Sequence, residues 1–410
     1  MKFSRVAVVA ALCVLLSGCY WNQPGFDSRR SGFNPHEGSI NSTNVATLTE
    51  EWSRPGGALE VITTSTGVHA WAGDVLQTYD LDGSLLWSAP VDTGDLFDVP
   101  LIGGFRGQLV VPSVEVGDPT GCLLVFDAAS GAAAPCVPLP APSDSTGLVY
   151  VQAVRDGAWV GVAYVYEVAG GWSSAIAATN LSDPSERWII ELGADTGLSN
   201  PIAVGGVVYA AMGDASGWTL AGWELAGACT PDCGPPVVEH DLPAGIVSGI
   251  SADPSGASIA IASSEGLVVV DRASGGVLWT GSYTFRPYHH NSIPTWTPSA
   301  LVVPLWRTDV DPDVTTVVSF DVEGCGASLC PPTWSADLPG QPMGQGAAAG
   351  DVFYVTSMQS FAAFPTSCTA VCEPLYVQEE DVWTWFGSPI VANGLVLHSP
   401  TGELQALGLP

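Results

Sequence analysis

Lys2 is the only lysine in this chain of 410 residues, and its 11 basic residues face 41 acidic ones, a formal charge of −30. So little positive charge, with no basic stripe, excludes a surface that recruits nucleic acid or anionic lipid. Charged residues of both signs make up only 13%, about half the usual share. The acids are scattered rather than blocked, which suits a solvating surface better than a polyanion function. No run after the first 20 residues has the length and uniform apolarity of a membrane span. No Ser/His/Asp set, paired-carboxylate spacing or phosphate loop stands out. None of the 15 Trp residues is followed by Asp, which removes the WD signature. No two cysteines are adjacent, and Cys-x-x-Cys-His is missing.

What is present is apolar and rich in turns. Hydrophobic residues reach 47%, with 47 Gly and 32 Pro, as many short strands joined by many turns require. The length allows two or three ordinary domains or one large repeat array.

The N-terminus reads as an address. Lys2 and Arg5 precede the apolar run 6–16, and Leu16-Ser17-Gly18-Cys19 follows. This resembles a bacterial lipoprotein signal, which implies cleavage before Cys19 and a diacylglycerol on its thiol. Two or three acyl chains give stable anchoring where one does not. Residues 1–18 are therefore set aside as signal peptide, and 19–46 are expected to form a lipidated tether and strap. Removing Lys2 and Arg5 leaves nine Arg against all 41 acids, a formal charge of −32.

One short pattern then repeats: an Asp-turn-Gly hairpin followed by an apolar pair. It runs through "YDLDGSLLW" to Trp87, "FDAASGAAAPCVPL" to Leu139, "TNLSDPSERW" to Trp188 and "WELAGACTPDCGPPVV" to Val238. It continues through "VDRASGGVLW" to Trp279, "FDVEGCGASLCPPTW" to Trp334 and "FPTSCTAVCEPLY" to Tyr376. Before each hairpin comes a polar–Pro or Gly entry, an apolar stretch, a Gly turn and another strand. The segments 199–211 and 387–399 are its clearest copies. Each unit thus holds four short strands in roughly 40–50 residues, the size of a propeller blade.

The C-terminus supplies three strands of a last unit, and "LTEEWS" near the N-terminus supplies a spare one, with Trp52 in the blade-ending position. If that strand completes the last sheet, the ring has no open edge. The expectation is an all-β fold: an eight-bladed propeller over residues 47–410, built of four-stranded antiparallel blades and closed by an N-terminal strand. Seven blades is the alternative, should one loose unit be an insertion.

The pattern apolar-x-Asp-x-x-x-Gly-x-x-Leu-Trp resembles the repeat of pyrroloquinoline-quinone-type (PQQ-like) propellers. The lead-in Trp21, Asn34-Pro35, Glu37, Ile40, Asn44-Val45, Leu48 and Trp52 resembles the strap of exported members. The resemblance covers about residues 20–410 and implies one of two things. The chain is either a PQQ- and calcium-holding dehydrogenase of an alcohol or sugar, or a non-catalytic scaffold like the lipoprotein of the outer-membrane β-barrel assembly machinery. The enzymes typically carry a vicinal disulfide over the cofactor, and PQQ, a tricarboxylate, needs cations nearby. The residues support neither PQQ nor calcium, so no cofactor is expected.

With Cys13 in the leader and Cys19 on lipid, eight cysteines remain in local pairs: Cys122 with Cys136, Cys229 with Cys233, Cys325 with Cys330 and Cys368 with Cys372. Each pair is placed in the turn between the third and fourth strands of its blade. Disulfides are expected in an oxidising compartment, each contributing roughly 2–3 kcal/mol in the chain-entropy picture. Zinc is the rival, but the pairs fall on different blades.

His289-His290 and the run Asp309, Asp311, Asp313 are weaker metal candidates, since Val314 stands where an EF-hand loop needs Gly. Trp296 and Trp306 are read as packing between blades. The functional expectation is an extracytoplasmic scaffold, lipid-anchored to the bacterial cell envelope and monomeric. It takes a protein or envelope partner on a propeller face and binds no nucleic acid.

Overall fold

In this computed structural model the described residues are 20–56, 60–72, 74–91, 102–113, 121–140, 142, 145, 147–169, 171–214, 216–226, 235–242, 245–283, 292–307, 313–379, 387–400 and 402–410. They form eight sheets set as the blades of a β-propeller, with a short 3-10 turn, Val45–Thr47, between two strands. Numbered along the chain, blades 1 to 8 span 60–90, 102–138, 147–194, 197–242, 247–281, 295–339, 347–379 and 390–408.

The apolar runs become inner strands because a blade is covered on both faces by its neighbours. Val352–Ser357 and Gly266–Asp271 are buried almost end to end, whereas the outer strand Val238–Leu242 alternates between half-buried and exposed. The apolar pair of the repeat is split by the same alternation. Leu278 is 53% exposed on the outside while Trp279 is 4% exposed in the seam between blades.

Trp279 also explains the recurring spacing inside each unit: the Trp and the Gly of the pattern meet across blades. A Cβ on Gly324 in the turn of blade 6 would lie 2.8 Å from the indole of Trp279 in blade 5. Gly83 and Gly131 meet Trp52 and Trp87 in the same way, and all three glycines have φ between 70° and 82°. Only glycine tolerates both that backbone and that approach. Indole N–H groups then donate to the next turn, from Trp52 to Leu81 O (2.9 Å), Trp87 to Ala128 O (3.0 Å), Trp188 to Leu225 O (3.1 Å) and Trp334 to Thr366 O (3.3 Å).

Eight blades are present, and the last is closed as expected. Thr49–Pro55 pairs antiparallel with Glu403–Gly408, Trp52 opposite Ala406. A polar network ties the same seam: Gln378 of blade 7 and His398 of blade 8 both reach Gln405 Oε1, at 3.0 and 2.8 Å, while Gln405 Nε2 donates to Glu50.

Several details differ from the sequence reading. The repeat residue usually opens or sits within the fourth strand rather than ending it, since Trp188, Val238, Trp334 and Tyr376 lie at or next to strand starts. In blade 2 the slot falls near Ala134, whose N–H donates to Val125 O, and not at Leu139. In blade 4 Val238 keeps the register opposite Gly222, yet the ring lying on the next turn glycine, Gly275, is that of His240 on the same face.

The blades are also not uniformly four-stranded. Leu329–Cys330 of blade 6 adds parallel to the outer strand of blade 5, and Ala370–Val371 of blade 7 adds to that of blade 6. Phe33–Asn34 adds to the inner strand of blade 7. Outward-facing edges with unpaired N–H and C=O groups capture whatever short extended segment reaches them.

Of the four expected disulfides, three lie among the described residues: Cys122–Cys136, Cys325–Cys330 and Cys368–Cys372. The last two close turns between third and fourth strands. Cys122, however, opens the third strand of blade 2, so its bridge ties the open end of that hairpin rather than the turn. The fourth expected pair, Cys229 and Cys233, lies outside the described residues. Cys19, the residue expected to carry lipid, lies outside them as well.

Candidate functional site at the axial mouth

In a propeller the first strand of every blade lines the central channel, and each presents an edge with unpaired backbone groups. Here one segment, residues 21–34, answers those edges in blade order. Carbonyls of Trp21, Asn22, Ser28, Arg29, Ser31 and Gly32 accept from the N–H of Thr63, Gly103, Ala203, Ala252, Trp296 and Ala348, at 2.6–2.9 Å. These partners stand in blades 1, 2, 4, 5, 6 and 7. Blade 3 is met by Gln23, whose Oε1 accepts from Arg155 N–H at 3.0 Å. Blade 8 is met by Asn34, whose Nδ2 donates to Val391 O at 2.9 Å. Residues 21–34 thus form a ring inside the channel, with one contact per blade.

The ring lies at one height. Every contacted residue is at or within two residues of the end of its first strand, just before the first turn of the blade. Antiparallel order puts the third-to-fourth-strand turns on that same face, and they bond to the first turns, as Ala128 N–H does to Gly107 O and Arg272 N–H to Ala257 O. One face therefore gathers the ring, the Asp-turn-Gly turns and the turn disulfides. The strand ends that lead into the second-to-third-strand turns and into the links between blades lie, among the described residues, at the opposite face.

A tight circle needs residues that bend the chain, and Phe26 (φ 80°) and Arg30 (φ 49°) adopt left-handed backbone without being glycine. Such residues cost of order 1–3 kcal/mol each and persist where surroundings dictate them. Gly32 is required outright: a Cβ there would meet Thr295 at 2.8 Å.

The charged groups of this mouth turn toward the protein. Burial holds the Asp27 carboxyl above its ordinary value, although Ser31 and Arg29 oppose this, and Arg29 Nη1 bonds its Oδ2 at 3.0 Å. Arg30, 4% exposed, donates to Gln152 Oε1 at 2.7 Å and to Ala153 O at 3.3 Å. Arg155 donates from Nε to Gly157 O, and burial brings its guanidinium down to about 9. Gln345 Nε2 ties Arg30 O and Pro294 O together at 2.7 and 3.0 Å. Three of the ten arginines of the chain thus serve this ring.

The chemistry of this donor set does not fit PQQ at the ringed mouth. Arg30 and Arg155 are buried against the chain's own carbonyls and amides, and Arg29 is paired with the Asp27 carboxylate, so each cation of the ring is already engaged by the chain itself. No cluster of three or more His, Cys, Asp or Glu that could hold a metal occurs among the described residues.

His289, His290, Asp309 and Asp311 lie outside the described residues. Asp313 accepts from Gln341 Nε2 at 3.1 Å beside the start of a blade 6 strand. Trp296 packs between blades 5 and 6, its indole N–H donating to Ser251 Oγ at 3.1 Å. Trp306 is half-buried on blade 6. The ring itself escaped sequence reasoning because residues 21–34 carry no strand periodicity. The available signal was Gly25, Gly32 and polar residues in a stretch with Trp- and Phe-anchored ends.

No family model matches the chain, and no curated protein matches it. Solved structures do. The dihydro-heme d1 dehydrogenase NirN, in complex with DHE, superposes with a TM-score of 0.54 at 12% identity, over 80% of this chain. The chain spans 66% of the length of that protein. Hsv2 of Kluyveromyces lactis superposes at 0.49 with 10% identity, over 79% of this chain and 99% of its own. At such identities the likeness concerns the propeller fold alone.

Proposed function

We propose that the protein is a lipid-anchored, extracytoplasmic propeller that serves as a non-catalytic scaffold for a protein or envelope partner. The observation that carries this reading is the axial ring, in which the chain's own segment 21–34 takes up the inner edges of all eight blades and engages its arginines. Three disulfides fit an oxidising, extracytoplasmic compartment. Cys19 in its signal context supports anchoring, and the charge of −30 supports a surface that leaves nucleic acid alone. Function then rests on faces and rims rather than on a pocket.

The competing reading is a PQQ-dependent dehydrogenase, and the NirN likeness adds a tetrapyrrole to the ligands worth testing. The decisive experiment is covalent capture from the protein's own membranes, with the lipidated chain as bait, alongside titration with PQQ plus calcium and with haem. Recovery of one stoichiometric partner, no dye-coupled oxidation of alcohols or sugars and no haem spectrum are expected. Turnover with PQQ, or a saturable haem spectrum, would overturn the scaffold.

A further inference from the structure

The anchor and the ring are separated by almost nothing. Trp21 is 1% exposed and pinned through both backbone groups to Thr63: its N–H donates to Oγ1 at 2.7 Å and its carbonyl accepts from N–H at 2.8 Å. Its ring meets Phe26 edge-on at 5.4 Å. Between this fixed residue and Cys19 stands only Tyr20. Two residues span at most about 7 Å, so the lipidated thiol stays beside the ringed mouth of the channel. A route down the channel is closed by length. From Thr63 to Glu60, where the first strand of blade 1 begins, is already about 10 Å, and acyl chains left inside would have no lipid.

We propose that the face carrying the N-terminal ring lies directly against the bilayer that takes the Cys19 acyl chains, and that the opposite face is the one presented to a partner. This rests on the lipidation of Cys19 proposed above. The bilayer is held there by covalent anchoring and not by charge. Asp80, Asp127, Asp271 and Asp321 stand in the turns of the same face, where they accept from the N–H groups of Ser84, Ser130, Ser274 and Glu323 in turn. They repel anionic headgroups, but repulsion is screened beyond about 8 Å at physiological ionic strength, and two acyl chains suffice for stable anchoring. Scaffold surface is thereby assigned: second-to-third-strand turns and inter-blade links face outward.

The test uses the lipidated full chain in vesicles of phosphatidylethanolamine and phosphatidylglycerol containing a nitroxide-labelled quencher lipid. A fluorophore is placed at either end of blade 5, through Ser255→Cys in the first turn or Glu265→Cys in the second-to-third-strand turn, both exposed. Quenching several-fold stronger at 255 than at 265 is expected. A 15-residue Gly/Ser insertion between Cys19 and Tyr20 should bring the two close to equal. Equal or reversed quenching in the uninserted protein overturns the orientation and leaves the anchor standing. A difference that survives the insertion overturns the short tether as its cause. Intact mass reads lipidation separately, and a mature chain without diacylglycerol overturns anchor and orientation together.

Discussion

The inner and outer edges of the blades pose the same chemical problem and are treated differently. Along the axis, a single segment, 21–34, meets all eight inner edges, so its contacts form or break together. On the rim, closure is local: Leu329–Cys330 covers blade 5 and Ala370–Val371 covers blade 6, each held in shape by its own disulfide. Cooperative closure belongs to the axis, and piecemeal closure to the rim. The reason is geometric, since a short segment can circle a narrow axis but no short segment can circle the circumference.

Removing the ring should have the largest effect. Deletion of 20–34 with the strand Thr49–Pro55 retained should lower stability by well over 5 kcal/mol, from one buried Trp at about 3–5 kcal/mol plus backbone bonds near 1 kcal/mol each. Denaturant unfolding should stay a single transition with a lower midpoint. A loss confined to one blade by hydrogen exchange would break the contrast drawn above.

Trp52→Ala comes next, at about 3 kcal/mol, because Trp52 is 6% exposed between blades 8 and 1. Chemical denaturation measures it, and exchange should rise first in 403–408. A cost below 1 kcal/mol would show that the N-terminal strand closes the ring through backbone pairing alone.

Replacing Cys325 and Cys330 together by Ala should cost about 2–3 kcal/mol. Faster exchange is expected at Thr280 and Ser282, whose N–H groups donate to Ser328 O and Cys330 O, with blades 1 to 3 unchanged. Matching increases around the whole ring would erase the distinction between axis and rim.

Acid provides the smallest test and sharpens where closure is polar. Burial pushes His398 down to about 4 and His69 to about 3. Between those values and 6.5 the unfolded chain takes up protons that the folded one refuses. Stability is therefore full above about pH 6.5 and falls as pH drops toward 4. Each residue contributes on the order of 2 kcal/mol of loss at pH 5. Comparing His398→Gln with the parent at pH 7 and pH 5 checks this, since the variant should lose roughly half the pH dependence.

Much of the architecture was legible in the chain because it depends on local chemistry repeated many times. An acidic turn residue accepting its neighbour's N–H, a glycine with positive φ and a following β-prone pair recur from Asp80 to Asp321. Eight units, and an N-terminal strand pairing near Glu403–Gly408, could be counted from them. Within blade 2 the repeat slot was assigned to Leu139 because Ala134 carries no aromatic side chain to mark it.

By itself, then, the sequence determined the strands, their grouping into blades and the local pairing of the six cysteines that the structure describes, since each follows from residues within one short hairpin. Only the tertiary structure decided which neighbour the Trp and Gly of each unit would meet, that Leu329–Cys330 would serve a different blade, and that residues 21–34 would circle the axis. Those contacts join positions tens to hundreds of residues apart, Asn34 to Val391 among them. The groups that bind there are mostly backbone N–H and C=O, which every residue carries alike. A partner made of backbone leaves no signature in the side chains, so it becomes visible only when the blades have been brought round the axis.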